Sequence, residues 1–226
     1  MANHSLSGEE ARLFAISDIH GHKDGLLALL EAAAYDPNAD RLMLLGDYID
    51  ADKPASWDTL DTIRKLVASG ALAIPGNQEL KLASLARRGN ATYHQYAKWI
   101  LSLPLYLKTG DYLFVHAGIR PGRAFQNQTV RDLTEIREEF YLHPASRITG
   151  KRRIVFGHTP TFKLGAPVGT IWSDERRIGI DTGAKHGNRL TLLDLSGSIA
   201  YSCETMAGYR SGSDVRVESV AHLLTK

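Results

Sequence analysis

At 226 residues, the chain is long enough to bury a sizeable hydrophobic core. Its composition, 43% hydrophobic and 23% charged, is typical of a folded protein and excludes a disordered one, and its single cysteine excludes an internal disulfide. The net charge of +2 is not concentrated on any helix face, which argues against a nucleic-acid partner.

No segment of the sequence indicates export or a membrane. Residues 1–10 are polar and lack the hydrophobic core of a signal peptide. No hydrophobic run approaches the ~20 residues needed to span a bilayer. We therefore expect one cytoplasmic domain over residues 1–226, with no membrane partner; the sequence does not indicate its oligomeric state.

In the first half of the chain, predicted strands alternate with predicted helices. Hydrophobic runs predict strands at 12–17, 41–45 and 71–74. Helices are predicted at 23–34, from Ser56 or Asp58 to 69, at 79–88 and at 91–101, with the last two separated at Gly89-Asn90. This alternation indicates a mainly parallel sheet.

The second half is rich in strands. They are predicted at 112–115, 154–156, 177–180, 190–195 and 199–202, and one helix is predicted at 129–141. No repeat, low-complexity tract or linker interrupts the chain. The pattern as a whole predicts an α/β fold.

Five short segments, each following a predicted strand, carry potential metal ligands. They read D-I-H-G, G-D-Y-I-D, G-N-Q-E, V-H-A-G and G-H-T-P, and their ligands are Asp18, His20, Asp47, Asn77, His116 and His158. Loops at the carboxyl ends of strands are where open α/β sheets collect their ligands. Two carboxylates, an amide oxygen and three imidazoles suit a pair of divalent transition ions better than one closed zinc site. The pattern favours a two-metal phosphoesterase.

The order of these motifs resembles that of the calcineurin-like metallophosphoesterases, and among them the bacterial members of the serine/threonine-phosphatase (PPP) branch. The segments F-V-H-A-G-I-R-P, I-R-E-E-F and I-D-T-G are also similar to that branch, and the similarity runs from about residue 12 to residue 195. The resemblance implies two facing mixed β-sheets flanked by helices, with the metals at one edge.

The resemblance also implies how the ligands are divided. Asp47 bridges two divalent ions, and a hydroxide shared between them attacks phosphorus in line. The other ligands form one set for each ion: Asp18 and His20 for the first, and Asn77, His116 and His158 for the second. Asn77 is also expected to contact the bound phosphate. Manganese is the expected metal, although iron, zinc, cobalt or nickel suits the same donor set.

Two further carboxylates lie in the same loops. The resemblance puts Asp50 near the leaving-group side of the substrate, and a loop-surface carboxylate is the alternative. Asp181 of I-D-T-G is a candidate for orienting a metal-bound histidine, with a structural turn as the alternative.

Three positions depart from the family pattern. Gln78 stands where the family has a histidine that acts with an aspartate to protonate the leaving group, and an amide is not a general acid. Its absence costs about 10²–10⁴-fold in rate, and least for good leaving groups. Ala51, followed by Asp52 in place of a glycine, and Pro75 stand where the family has arginines. Such arginines clamp phosphate in a bidentate way, so recognition of a phosphomonoester is expected to be weaker.

Four residues are candidates to replace the missing groups. Arg137 and Arg120 are predicted either to bind phosphate or to form salt bridges with the acidic stretch 132–139. His22 is predicted to supply a proton, with an exposed side chain as the alternative. His186 is within reach of the cleft, although nothing in the spacing requires it.

We expect a metal-dependent phosphatase that hydrolyses a phosphomonoester, either a phosphorylated protein or a small phosphorylated metabolite. A first alternative is a symmetrical dinucleoside polyphosphate hydrolase, similar to diadenosine tetraphosphatases. Gln78 harms that reaction least, because a nucleotide phosphate departs without a strong acid, but the chain is shorter than expected for that group. A second alternative is a non-catalytic metal-binding module that recognises phosphorylated ligands.

Overall fold

The computed structural model describes residues 11–86, 91–148, 150–205 and 214–225. The predicted polar N-terminus at 1–10 and the predicted helix break at Gly89-Asn90 lie outside the described residues. The strands are β1 (Leu13–Ile16), β2 (Arg41–Leu44), β3 (Leu72–Ala73), β4 (Tyr106–Thr109), β5 (Tyr112–Val115), β6 (Arg153–Phe156), β7 (Trp172–Ser173), β8 (Arg177–Gly179), β9 (Arg189–Asp194), β10 (Ile199–Glu204) and β11 (Arg216–Ser219). The helices are α1 (Lys23–Ala32), α2 (Asp58–Ala68), α3 (Asn77–Ala86), α4 (Ala91–Ile100), α5 (Val130–Glu135), α6 (Glu138–Tyr141) and α7 (Ala221–Leu224).

The strands form two mixed sheets. The first has the order β11-β10-β9-β1-β2-β3 and the second has the order β4-β5-β6-β8-β7. In the first sheet β1 is parallel to β2 and antiparallel to β9, and in the second β5 is parallel to β6 and antiparallel to β4. The expected fold of two facing mixed sheets with flanking helices is confirmed.

Three hydrophobic layers hold the sheets and helices together, because successive strand residues point to opposite faces of a sheet. In β1, Phe14 packs in the core beneath α1 to α4, while Ala15 packs in the core between the two sheets. In β5, Phe114 reaches that same core between the sheets, and Leu113 packs on the other side against α5 and α6. This arrangement fixes the loops at the ends of the central strands.

The helix predicted at 129–141 is two helices. Thr129 caps α5 through a reciprocal pair of hydrogen bonds with Asp132. Ile136 is extended, with φ −61° and ψ 145°, and it is buried against the second sheet. The burial of Ile136 thus breaks the helix, and Arg137 between α5 and α6 has φ −133° and ψ −106°.

The sequence pattern does not predict β4, β7, β11 or α7. All three of these strands are at sheet edges, and every residue of β11 is exposed. Edge strands of this kind lack the buried hydrophobic run that marks a central strand. Within the described ranges, no helix has both the length and the hydrophobicity needed to cross a membrane.

Candidate metal centre

The loops that follow β1, β2, β3, β5 and β6 meet at one edge of the sheets. The Asp18 amide donates a hydrogen bond to the Gly46 carbonyl at 3.0 Å, and the Gly157 amide donates one to the His116 carbonyl at 2.8 Å. The His158 amide donates to Asp18 Oδ2 at 2.8 Å. This last bond joins the loops of the second sheet to those of the first.

The side chains of these loops form two clusters that share one carboxylate. The first cluster is Asp18, His20 and Asp47, and the second is Asp47, His116 and His158; the ligand atoms of each lie within 4.8 Å of one another. The two oxygens of Asp47 face different clusters, since Oδ2 lies 3.7 Å from His20 Nε2 and Oδ1 lies 3.4 Å from His116 Nε2. A carboxylate in this position is suited to bridge two ions.

Asn77, the sixth predicted ligand, is the first residue of α3. Its Oδ1 lies 3.2 Å from His116 Nε2, and its side chain lines the same cavity as the two clusters. The structure therefore brings all six predicted ligands together, with Asn77 beside the second cluster.

The backbone at the clusters is strained. Four predicted ligands have positive φ: Asp18 at 54°, His20 at 47°, Asp47 at 52° and His158 at 63°. In the described part of the chain these are four of the seven non-glycine residues with that conformation. Left-handed backbone costs a residue with a side chain about 1–2 kcal/mol, and such strain gathers at functional sites. The sequence carries no signal for this strain.

Two glycines let the ligand loops approach one another. A Cβ on Gly76 would lie 2.1 Å from Asp47 Oδ1, and a Cβ on Gly157 would lie 2.1 Å from Asp18 Oδ2. Any side chain at either position would displace a cluster carboxylate. These glycines are needed because the space a Cβ would fill is taken by the Asp47 and Asp18 carboxylates. This role is more specific than the turn conformation that a glycine usually indicates.

Hydrogen bonds fix the orientation of two histidines. His20 Nδ1 donates to Asp50 Oδ1 at 2.9 Å, and His116 Nδ1 donates to the Leu45 carbonyl at 2.8 Å. Each bond places a proton on Nδ1 and leaves Nε2 directed at a cluster. Ring orientation at both positions is therefore set before any ligand binds.

Asp50 lies behind His20 and does not line the cavity. Only 2% of the residue is exposed, and its carboxylate also pairs with Lys185 Nζ at 2.8 Å and Lys53 Nζ at 3.1 Å. Burial by itself raises the pKa of Asp50, but His20 and the two lysines outweigh it and hold the pKa well below its usual range. Asp50 is thus a positioning residue for His20.

Glu79, the last residue of G-N-Q-E, was not assigned a role from the sequence. It is fully buried, and its Oε2 accepts hydrogen bonds from the amides of Asp47 and Gly76, both at 2.8 Å. Its Oε1 accepts from the Tyr48 amide at 2.8 Å. Burial and the charge of Asp47 raise the pKa of Glu79 to about 7. The sequence signal that could have identified Glu79 is its position in G-N-Q-E, two residues after the predicted ligand Asn77.

The electrostatics of the clusters follow from burial and close charges. Burial lowers the pKa of His20, but Asp18 and Asp50 outweigh this effect and raise it to about 10. Burial and the neighbouring charge of His116 lower the pKa of His158 to about 3. Burial raises the pKa of Asp47. Burial also raises the pKa of Asp18, but His20 and His116 outweigh it and hold the pKa of Asp18 well below its usual range.

The donor set fits a pair of divalent ions. Among the described residues, His158 Nε2 is buried without a hydrogen-bond partner, although it lies in a cluster of metal-ligating groups. A buried polar atom left unpaired is costly unless something binds it. Mixed imidazole and carboxylate donors, with one carboxylate between two clusters, suit two transition ions.

The clusters form the floor of a cavity of about 210 Å³. Its remaining lining comes from polar and cationic side chains together with one proline: Asn77, Gln78, Arg137, Pro160, Lys163, Asp181, Lys185 and His186. A larger cavity, of about 360 Å³, lies between the loop at 165–173 and the C-terminal strands and includes none of the predicted ligands. The chemistry is therefore concentrated in the smaller cavity.

Gln78, Arg137 and Asp181 occupy different places in this cavity. Gln78 is anchored, because its Oε1 accepts a hydrogen bond from the Ala51 amide at 3.1 Å. Arg137 Nη1 makes only a long hydrogen bond to the His158 carbonyl, at 3.3 Å, and one to a threonine hydroxyl. Asp181 Oδ1 accepts from the Gly183 amide of its own turn at 3.0 Å, which matches the structural-turn alternative.

Two predicted site residues lie elsewhere. Arg120 pairs with Asp132 Oδ1 at 2.7 Å and with Glu139 Oε1 at 2.9 Å, so the local acidic stretch holds it away from the cavity. His22 precedes α1 and is 5% exposed, and it does not line the cavity. Burial and the charge of His20 lower the pKa of His22 to about 4, so its imidazole is uncharged at neutral pH and is not the acidic imidazolium form.

The profile of one protein family matches this chain. The family is described as calcineurin-like phosphoesterase, and the match covers residues 11–192. The matched span contains all six predicted ligands and the residues that orient them.

The chain is similar to curated bis(5'-nucleosyl)-tetraphosphatases of two kinds, symmetrical and asymmetrical. A symmetrical bis(5'-nucleosyl)-tetraphosphatase of Aromatoleum aromaticum is 34% identical over 125 residues, which cover 49% of this chain and 45% of that protein. The chain thus spans about half the length of the symmetrical relatives that it matches. The asymmetrical bis(5'-nucleosyl)-tetraphosphatase PrpE of Bacillus velezensis is 29% identical, with 78% of this chain and 86% of that protein covered.

The fold recurs in solved structures. A crystal structure described as that of a candidate diadenosine tetraphosphatase superposes with a TM-score of 0.71. It covers 88% of this chain and 96% of the other, at 23% sequence identity. This likeness concerns the fold alone.

Proposed function

The chain belongs to the calcineurin-like phosphoesterase family, and from that premise we propose that it hydrolyses dinucleoside polyphosphates, as the bis(5'-nucleosyl)-tetraphosphatases do. Family membership makes it a metallophosphoesterase. The names of its relatives favour the polyphosphate substrate over the phosphomonoester that the sequence analysis put first.

The observation that carries this proposal is the pairing of a complete two-cluster metal site with an amide at the position of the general acid. Gln78 lines the cavity, and its Oε1 accepts a hydrogen bond from the Ala51 amide. Neither the side-chain amide of Gln78 nor the backbone amide of Ala51 is able to protonate a leaving group as a general acid. A serine or simple alkyl leaving group needs protonation, whereas a nucleotide phosphate is a weak base and departs as an anion. The site therefore suits cleavage between phosphates.

Each residue of the two clusters and of the cavity wall has a distinct role in this proposal. Asp47 joins the two clusters, and His20 and His116 are each oriented by a hydrogen bond from Nδ1. When bound, two divalent ions supply charge neutralisation and a water whose pKa is lowered toward about 7. Arg137, at the cavity wall, is available to hold a phosphate oxygen. Glu79 keeps the loops of Asp47 and Gly76 at a fixed separation.

Hydrolysis of a phosphomonoester is the second candidate. Arg137 supports it, because a guanidinium is able to hold a phosphate in a bidentate way and this one makes only weak contacts within the chain. Without an acid at Gln78, we expect such activity mainly on esters with good leaving groups.

The experiment compares substrates on the manganese-loaded chain. Diadenosine tetraphosphate, p-nitrophenyl phosphate and a phosphopeptide are each incubated with wild type and with Asp47→Asn, and nucleotide products are separated by chromatography. We expect cleavage of the tetraphosphate, to two ADP or to ATP and AMP, and none in the variant. Cleavage of the monoesters alone would replace the proposal with the second candidate. No turnover with two ions bound would identify a non-catalytic binding module.

A further inference from the structure

Three cations line the cavity beside the clusters, and we name Arg137, Lys163 and Lys185 the basic rim. We propose that the basic rim binds those phosphates of the polyphosphate chain that are not attacked, and so takes the place of the arginines missing at Ala51 and Pro75. The inference rests on the proposed function and assigns the residues that select a chain of phosphates over a single one.

The basic rim comes from three separate turns that converge at the cavity. Arg137 lies at the break between α5 and α6, and Lys163 lies in the 3-10 turn Thr161–Leu164 that follows G-H-T-P. Lys185 lies in a second 3-10 turn, Ala184–His186. The two 3-10 turns are in contact, because the rings of Phe162 and His186 meet edge to face with centroids 5.6 Å apart. The convergence is therefore a property of the fold.

The members of the basic rim keep charge available for a ligand. Lys163 is exposed, and within the described ranges no carboxylate lies at ion-pair distance from it or from Arg137, although the charges of both act on the exposed Glu138 carboxylate. Lys185 does pair with Asp50, but Lys53 pairs with the same carboxylate, so two ammonium groups share one negative charge there. Cationic side chains that line one cavity with fewer carboxylates paired to them than they have charges are suited to bind an anion.

The amount of charge indicates more than one phosphate. Two divalent ions more than offset the carboxylates that line the cavity, Asp18, Asp47 and Asp181, and they would already attract the phosphate that is attacked. The charge of the basic rim adds to that surplus. A single phosphomonoester does not need this additional positive charge, whereas each further phosphate of a polyphosphate brings another negative charge.

The positions of the basic rim and of the missing arginines differ. The missing arginines belong to the loops after β2 and β3, while the basic rim belongs to the second half of the chain. The phosphate chain is therefore expected to extend toward Lys163.

The test uses Lys163→Gln, because Lys163 is exposed and its loss leaves no buried partner unpaired. Lys65→Gln, at an exposed lysine of α2 outside the cavity, is the matched control. Steady-state kinetics are measured on diadenosine tetraphosphate and on p-nitrophenyl phosphate. Affinity for a methylene-bridged diadenosine tetraphosphate is measured by calorimetry, with manganese in equal excess in both solutions.

For Lys163→Gln we expect kcat/KM on the tetraphosphate to fall about tenfold, mainly through KM, since one charge-assisted contact is lost. The affinity of Lys163→Gln for the bridged analogue should fall by the same factor, while its kcat/KM on p-nitrophenyl phosphate stays within about twofold of the wild-type value. For Lys65→Gln, kcat/KM on both substrates and the affinity for the analogue should all stay within about twofold of wild type. Equal losses on both substrates, or unchanged affinity for the analogue, would overturn the inference.

The two proposals fail in different ways. If wild type cleaves only monoesters, the proposed function is wrong. The binding measurement then decides the basic rim separately: a tenfold difference in affinity between wild type and Lys163→Gln upholds it, and equal affinities overturn it.

Discussion

Asp50 Oδ1 lies 2.9 Å from His20 Nδ1, and this contact directs the other ring nitrogen of His20 toward the first cluster from a residue that itself lies outside the cavity. Replacing Asp50 with asparagine keeps the shape but removes the negative charge that fixes the imidazole and neutralises Lys185. We expect manganese affinity to fall about 10–100-fold, as for other residues that orient metal-bound histidines. Calorimetric titration with manganese measures this.

Asp52→Asn is the control for that variant, because Asp52 lies in the same loop, is exposed, and has only a distant pairing of 3.9 Å with Lys81. Its manganese affinity should match that of wild type. Equal affinities for Asp50→Asn and wild type would show that the contact does not position His20.

Metal binding should release protons at neutral pH. The pKa of His20 in the metal-free chain is about 10, so the imidazole is protonated at pH 7 and must become neutral to bind a metal. Apparent affinity therefore rises with pH up to about 10, by at most about tenfold per pH unit for this one group. Calorimetry in buffers with different ionisation enthalpies counts the protons, and a buffer-independent heat would contradict the prediction.

The same shift has a consequence for the metal-free fold. Because folding raises the pKa of His20 from 6.5 to about 10, the contribution of His20 to folding stability is complete below pH 6.5 and declines as the pH rises toward 10.

Asp50→Asn removes part of the cause of the raised His20 pKa. That variant should release fewer protons on binding manganese at pH 7.

Gln78→His is expected to restore acid catalysis. The side chain at this position lines the cavity, and a histidine there introduces a group that titrates near neutral pH. Turnover of phosphate esters with poor leaving groups should rise by up to about 10²-fold, with little change for p-nitrophenyl phosphate. A plot of log kcat against leaving-group pKa measures the effect as a change in slope.

Gln95→His, on the exposed side of α4, controls for the addition of a histidine to the chain. Its slope should equal that of wild type. A Gln78→His variant that changes all substrates by one factor would argue against acid catalysis as the missing function.

Gly157→Ala should reduce the number of manganese ions bound per chain, with a modest loss of unfolding free energy. The added Cβ would lie 2.0 Å from Ser17 Oγ and 2.1 Å from Asp18 Oδ2, so the Asp18 carboxylate must move. We expect fewer than two manganese ions per chain by elemental analysis, and a loss of about 1–3 kcal/mol in unfolding free energy. Gly110→Ala, whose added Cβ meets open space, should lose about 1–2 kcal/mol because of its positive φ and retain both ions. Full occupancy in Gly157→Ala would contradict the assignment of Asp18.

Much of this fold is predictable from the sequence, because its central strands are buried on both faces. The run before Asp18 and the run before His116 each predict a strand and place a ligand at its end. The layering into two facing sheets follows only from the family resemblance, since Ala15 and Phe114 share a core that local periodicity does not reveal. The edge strand β11, exposed throughout, has no comparable pattern.

The site was predictable where its chemistry is local and not where it depends on tertiary contacts. The six ligands stand in recognisable motifs, and the structure brings them together. The break at Ile136 that leads to Arg137 depends on burial against the second sheet. Lys163 and Lys185 belong to the cavity only because two turns pack together, and nothing in their neighbouring residues indicates that contact. Arg120 fits its motif equally well, yet Asp132 and Glu139 hold it elsewhere.

The bond between the His158 amide and Asp18 Oδ2 joins residues 140 positions apart in the chain. During synthesis, Asp18, His20 and Asp47 leave the ribosome long before His158 exists, so the second cluster is the last part of the centre to form. The second cluster is complete only when the loop after β6 has reached the loop after β1, so its geometry depends on both sheets having been made and having packed together.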